Sequence, residues 1–239
     1  MERVLITGEY DMSRYTWLLD PGHGGFIDGV YQTAGKRSPL FPDGSQFFEG
    51  EFTRDIARRI LTLSTGAYGN GQRTKKLRSE ANRAKYSLDV INLVDTEEDI
   101  SLRTRVNTAN QIHRERRNCI YVSIHANAHG MGKSFDDPKA KARGTCTFYH
   151  YRSSKGEVLA ESLQRWLADL TPFRNRGIRA NETWANFYVL RKTHMPAVLS
   201  ENGFMTNFDD ATLLMDPDVR QAIANAHYNM MLEIDENGL

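Results

Sequence analysis

The chain has 239 residues, 40% hydrophobic and 26% charged, which suits one soluble globular domain with a core large enough to need no staples. A formal charge of +1 excludes the global field of a nucleic-acid or membrane-surface binder. Two cysteines, Cys119 and Cys146, exclude a disulfide framework, lack the paired spacing of a structural zinc site, and are expected as buried thiols.

The start, Met1 to Glu9, has no long apolar run, and no stretch approaches the ~20 apolar residues of a membrane span. The expectation is a chain made in the cytosol, with any external substrate reached by some other delivery route. Residues 1–15 are mixed and polar and read as a lead-in, leaving one domain over 16–239. Tyr15 to Asp20 reads as the first strand. It stops at Pro21-Gly22, and Gly24 and Gly25 keep the backbone thin around His23. Phe26 to Phe47, with three glycines and two prolines, reads as a long surface loop. Glu49 to Ser64 is helical, with Phe52, Ile56, Ile60 and Leu63 at helical spacing and Arg54, Asp55, Arg58 and Arg59 opposite. Residues 65–84 form a polar, basic connection, and Tyr86 to Val94 reads as a strand.

Ser101 to Arg116 predicts a second helix, striped by Leu102, Val106, Ala109 and Ile112. Cys119 to His125 is a short apolar run, as in a strand buried on both faces. Ala128 to Arg143 reads as a loop and Gly144 to Tyr151 as an alternating strand. Ser154 to Leu170 predicts a third helix, with Val158, Leu159, Leu163, Trp166, Leu167 and Leu170 inward. Phe187 to Arg191 and Ala197 to Ser200 read as strands, and Asn207 to Met215 as a helical turn. Asp216-Pro217 starts the last helix, with Asp as cap and Pro at the first position, and Val219, Ile223, Ala226 and Met230 as its stripe. Strands alternating with helices predict an α/β fold: a mainly parallel twisted sheet flanked by helices on both faces, in a single domain.

In such sheets ligands sit beyond the carboxyl ends of the strands. His23 and His125 both end strands, so both belong on that edge. Paired with a carboxylate they make a candidate site for one zinc ion, which takes neutral imidazole and three protein ligands when catalytic. Glu49 and Glu51, at the start of the first helix, are both candidates for the third ligand. An acid there also favours a helix N-terminus without any metal. Glu201, in an otherwise apolar stretch after a strand, is either a salt-bridged structural acid or the general base such a site requires. His113, His129, His150 and His227 read as structural or exposed, since none has a second ligand at a short metal-binding spacing. His194 stands close enough to Glu201 in sequence to reach a substrate. Gly-x-Ser-x-Gly, P-loop and His-Glu-x-x-His motifs are absent.

Several motifs together resemble one family. They are Leu19-Asp20-Pro21-Gly22-His23-Gly24-Gly25, Glu49 ahead of Asp55-Ile56-Ala57, and Ser101-Leu102-Arg103 with Arg105-Val106 and Ala109-Asn110. Ser123-Ile124-His125-Ala126-Asn127, Asn186 to Arg191, Met195 to Leu199 and Glu201-Asn202-Gly203-Phe204 with Asn207 complete the set. In this order, over roughly residues 16–235, they resemble the zinc-dependent N-acetylmuramoyl-L-alanine amidases of bacterial cell-wall turnover and phage lysis. Thr53 departs from the family, which often has Asn there.

The resemblance implies that His23, Glu49 and His125 hold Zn²⁺, choosing Glu49 over Glu51, and that Glu201 is the catalytic acid/base. It implies a peptidoglycan or muropeptide substrate, cut at the amide between N-acetylmuramic acid and L-alanine, as by an autolysin or endolysin. Arg191, His194 and Asn127 are the candidate substrate-binding residues. The competing readings are a zinc peptidase cutting within the stem peptide and a non-catalytic wall-binding module on the same fold.

Overall fold

The structure is a computed structural model that describes residues 11–65, 86–130, 132–138, 141–181 and 186–239. The predicted polar connection, beyond Thr65, and the first ten residues of the predicted lead-in lie outside these. The strands are β1 (Asp11–Pro21), β2 (Phe26–Ile27), β3 (Val30–Tyr31), β4 (Tyr86–Asn92), β5 (Cys119–Asn127), β6 (Thr145–Tyr149), β7 (Asn175–Ala180) and β8 (Ala197–Phe204). The helices are α1 (Glu49–Ser64), α2 (Leu102–Arg116), α3 (Ser154–Leu170), α4 (Tyr188–Lys192), α5 (Phe208–Met215) and α6 (Pro217–Asn237).

One six-stranded sheet has the order β4-β1-β5-β8-β6-β7. β4, β1, β5 and β8 run parallel, while β6 is antiparallel to β8 and parallel to β7. The sheet is buried on both faces by separate apolar layers. On one side α1, α3 and α6 cover Trp17, Leu19, Ile120, Val122, Ile124 and Val198. On the other, α2 and α4 cover Leu18, Tyr121, Phe148 and Leu199. The alternation of these two sets along β1, β5 and β8 places Asp20, Ser123, His125 and Glu201 on the α2/α4 side.

Several expectations change in three dimensions. β1 begins at Asp11, four residues before the predicted strand and inside the predicted lead-in. Its start is held by Asp235 of α6, which accepts from Ser13 Oγ, the Arg14 and Tyr15 amides and Trp17 Nε1. Residues 187–191, predicted as a strand, form α4 instead. Val189 and Leu190 are both buried, and Arg191 and Lys192 both exposed, a pairing that one helical turn satisfies and strand alternation does not. β7 escapes prediction because Asn-Arg-Gly-Ile-Arg-Ala has no apolar alternation, and as an edge strand it needs none. The predicted long loop contains the β2–β3 hairpin, whose Asp28-Gly29 turn has φ of 49° and 77°. Positive φ at both positions is the usual two-residue hairpin geometry, and Asp-Gly is its sequence signal. Leu102 and Val158, predicted inward, are exposed. Leu102 stands in the first turn of α2, ahead of the contacts with the sheet, and Val158 falls just off the face that Leu159 and Leu163 bury.

α6 also buries His227. Its Nδ1 donates to the Ile223 carbonyl at 2.8 Å, so Nε2 accepts from Ser200 Oγ at 2.9 Å. Burial pushes its pKa down to about 4 from an ordinary 6.5. Between those values the unfolded chain binds the additional proton. The stabilising contribution of neutral His227 is therefore complete above about pH 6.5 and is lost as pH falls toward 4, at a cost of about 3 kcal/mol. Denaturant unfolding at neutral pH and near pH 4.5 should show the native chain losing more stability than His227→Gln. Equal losses would rule His227 out as the source.

Candidate metal centre

β1 and β5 end side by side, with Asp20 paired to Ser123 and Pro21 to Ile124. His23 follows directly, in the left-handed region at φ 66°, a conformation that histidine enters more readily than most residues. α1 starts at Glu49, whose side chain is almost fully buried. Glu49 Oε1 lies 3.1 Å from His23 Nε2 and 3.0 Å from His125 Nδ1, and accepts the Ala126 amide at 3.0 Å. The two imidazoles meet edge to face with centroids 5.0 Å apart. One donor atom from each of His23, Glu49 and His125 falls within 4.8 Å of the others, a grouping able to hold a metal ion.

The donor atoms carry the mark of such a site. Glu49 Oε2 is buried without a hydrogen-bond partner, and His23 Nε2 is buried with only the poorly aligned 3.1 Å approach to Glu49 Oε1. Buried polar atoms are almost always paired, so unsatisfied ones on converging ligand-type side chains fit a cation between them. Burial lowers the His23 pKa and favours the neutral imidazole that a metal requires. Glu49 is held well below the usual carboxylate range by the two histidines against its burial, so it is ionised.

Glu201 stands beside this group. It pairs with His125 on β5 and with Cys146 on β6, so it faces the same side as His125. Burial pushes its pKa up to about 8, and its Oε2 has no hydrogen-bond partner. A carboxyl group desolvated in this way takes up a proton far more readily than an exposed one. Glu201 lies within β8, one strand residue past the predicted end, because β8 continues to Phe204.

A family model described as N-acetylmuramoyl-L-alanine amidase matches residues 18–233. The chain belongs to that family. An uncharacterized cell wall amidase of Bacillus anthracis is 31% identical over 229 residues, covering 92% of this chain and 35% of the relative. N-acetylmuramoyl-L-alanine amidase CwlM of Bacillus licheniformis is 32% identical over 173 residues, covering 69% of this chain and 61% of the relative. The chain spans less than two thirds of the length of these curated relatives. The crystal structure of N-acetylmuramoyl-L-alanine amidase from Clostridium difficile 630 shares the fold, with a TM-score of 0.66 at 23% identity, over 94% of this chain and 98% of that one.

In this chain the loop that carries His23 is clamped from two helices. Arg54 of α1 donates to the His23 carbonyl at 2.8 Å, and Arg105 of α2 donates to it at 3.1 Å. Arg105 also donates to the Pro21 carbonyl and to Asp20 Oδ1, both at 2.6 Å. Asp20 is buried and further accepts from Tyr121 Oη and Ser123 Oγ. Thr53, where the family often has Asn, donates to the Gly22 carbonyl at 2.7 Å, so its hydroxyl is put to use in positioning the loop. From the opposite side, Asn202 Nδ2 donates to the His125 carbonyl and to Ser200 Oγ, linking His125 through Ser200 to His227. None of these partners carries a metal-ligand signature in the sequence; Arg105 and Asn202 were visible only as parts of larger motifs.

The glycines matter through the space they leave. A Cβ on Gly22 would overlap the His125 imidazole, and one on Gly50 would overlap the Gly24 carbonyl and push α1 off the loop. Gly22→Ala should displace His125 and weaken metal binding by about 10- to 100-fold, the loss typical when the support of a ligand is disturbed. Metal titration by calorimetry reads it, and unchanged affinity would refute it.

The remaining sequence candidates are placed apart. Asn127 ends β5 two residues past His125 on the same face, and its Oδ1 accepts the Ala128 amide. Arg191 is exposed on α4 with its guanidinium 5.9 Å from the Tyr188 ring centroid. His194 is exposed just before β8 begins, the opposite end of that strand from Glu201, and its amide donates to Asn110. Arg191 and His194 are outside the converging group. Lys36, not singled out in the sequence, approaches from the long loop closely enough for its charge to act on both His23 and Glu201. Cys119 and Cys146 are buried, and burial pushes the Cys146 thiol up to about 12, far from a nucleophilic thiolate.

Proposed function

We propose that the chain hydrolyses the amide joining N-acetylmuramic acid to L-alanine in peptidoglycan, with Zn²⁺ held by His23, Glu49 and His125. The reading is carried by one observation: three ligand-type side chains converge, and a fourth, desolvated acid lies in register beside one of them. Family membership supports the substrate. A bound Zn²⁺ would supply Lewis acidity for the carbonyl and would lower the pKa of water toward ~7.

The chain's own residues do the rest. Glu201 Oε2 takes a proton from the attacking water and gives one to the nitrogen of the breaking amide, because an unprotonated amine is a poor leaving group. Burial of Glu201 keeps competing water away and tunes it toward neutral pH. Arg54 and Arg105 hold the His23 loop so that its imidazole meets Glu49 without rearrangement.

Mass analysis of products from a defined muropeptide tests the reading. Free muramoyl lactyl groups and intact stem peptides are expected. Products cut within the stem would replace it with the peptidase reading. Purified chain that takes up no zinc on metal analysis would leave the wall-binding reading in its place.

A further inference from the structure

We infer that Arg176 and Arg179 of the edge strand β7 form a carboxylate-binding subsite for the stem peptide, an inference that rests on the amidase reading above. The argument is one of register. His125 on β5 pairs with Glu201 on β8, and Glu201 with Cys146 on β6. On β7, Asn175 pairs with Thr145 and Ile178 with Thr147, and the irregularity between them sets Arg176 and Gly177 against Cys146. Arg179 pairs with Phe148. Cys146 and Phe148 both belong to the α2/α4 side of the sheet, the side that carries His125 and Glu201.

Three contacts fix where Arg176 points. Its charge acts on the Cys146 thiol, its Nη1 donates to the Arg143 carbonyl at 3.4 Å, and its guanidinium lies 5.1 Å from the centroid of Phe204, the residue paired with Asn127. A row therefore crosses four neighbouring strands: imidazole, carboxyl, thiol, guanidinium. At about 4.8 Å between strands, Arg176 stands roughly 10 Å from Glu201. An extended peptide advances about 3.3–3.6 Å per residue, so a stem leaving the cleaved amide along this row brings its second or third residue over Arg176.

The charges are available. Arg143 nearby is paired with Asp209 and Asp210, but among the described residues neither Arg176 nor Arg179 makes an ion pair. A guanidinium receives a carboxylate in two parallel hydrogen bonds, and such bonds are about twice as strong as neutral ones. Charged residues on an edge strand also discourage sheet-to-sheet pairing. That role alone gives no dependence on the ligand's charge, which makes the two separable.

The test is calorimetric titration of the metal-loaded chain with a synthetic L-alanyl stem tripeptide bearing free carboxylates, and with the same tripeptide fully amidated. The native chain should bind the acidic form about tenfold tighter, as one charge-assisted pair provides. Arg176→Gln and Arg179→Gln should each reduce that preference and the double variant should abolish it. Arg176→Lys, which keeps the charge, should retain part of it. Equal binding of both peptides by the native chain, or an undiminished preference in a double variant with unchanged thermal midpoint, overturns the subsite. A parallel assay of amide cleavage separates the two readings. Cleavage without charge preference leaves the amidase and removes the subsite, while preference without cleavage leaves the subsite and removes the amidase.

Discussion

Glu201→Gln is expected to leave zinc uptake intact and to lower amide hydrolysis by about 10²- to 10⁴-fold, the range that a positioned general acid/base contributes. The substitution keeps volume and hydrogen-bonding capacity but removes the proton-carrying oxygen. Glu201 stands outside the group formed by His23, Glu49 and His125, so removing its charge takes no donor from that group. Its neighbours are His125 and Cys146 on the flanking strands, and neither depends on it for a hydrogen bond. His125→Ala should instead abolish both metal binding and turnover. Wall digestion by Glu201→Gln at the parental rate, with zinc bound, would show that the proton is carried elsewhere.

Arg105→Ala is expected to cost about 3–5 kcal/mol of stability, the loss seen when one partner of a buried ion pair is removed. Asp20 is 1% exposed and Arg105 is 3% exposed, so neither charge can turn to water. Burial alone would raise the Asp20 pKa; its 2.6 Å contact with Arg105, together with the Tyr121 hydroxyl, instead holds the carboxyl below the usual carboxylate range. Without Arg105 the carboxylate is left buried without its counter-ion, and the Pro21 and His23 carbonyls each lose a donor. The same variant should therefore bind zinc more weakly even below its unfolding temperature, because the loop that presents His23 is released. Thermal unfolding and a metal titration on the folded fraction check both parts. A midpoint within a degree or two of the parent would mean that Asp20 finds another partner.

These two residues show how far a linear reading reaches. Glu201 could be singled out because an acid flanked by Leu199, Ser200 and Gly203-Phe204 is costly unless paired or used. Its position opposite His125 could not, since register depends on the neighbouring strand and on the order of the sheet. Arg105 was visible only as part of a motif on the predicted second helix. Its burial follows from α2 lying across the end of β1, a contact between residues 85 positions apart. Asn202 and His227 were hidden for the same reason: their link to His125 runs through Ser200 and across to α6.

The short elements divide along the same line. α1 and α3 were delimited correctly because their apolar stripes recur over four turns. α4 is five residues long, and at that length an apolar pair fits a strand or a helix turn equally well until its neighbours are known. β7 has no apolar pattern, since it borders solvent on its outer edge and takes its strand form from hydrogen bonds to β6.

By itself the sequence determined the alternation of strands and helices, the two histidines at strand ends, and the choice of acids worth weighing. Those features are local: periodicity, turn residues and the cost of burying a charge all act within a few positions of the chain. Only the tertiary structure decided which donors converge, how Glu201 faces them, and that two arginines clamp the His23 carbonyl. The reason is that parallel strands joined through helices bring together residues distant in sequence, and their meeting depends on sheet order and register, which no local pattern encodes.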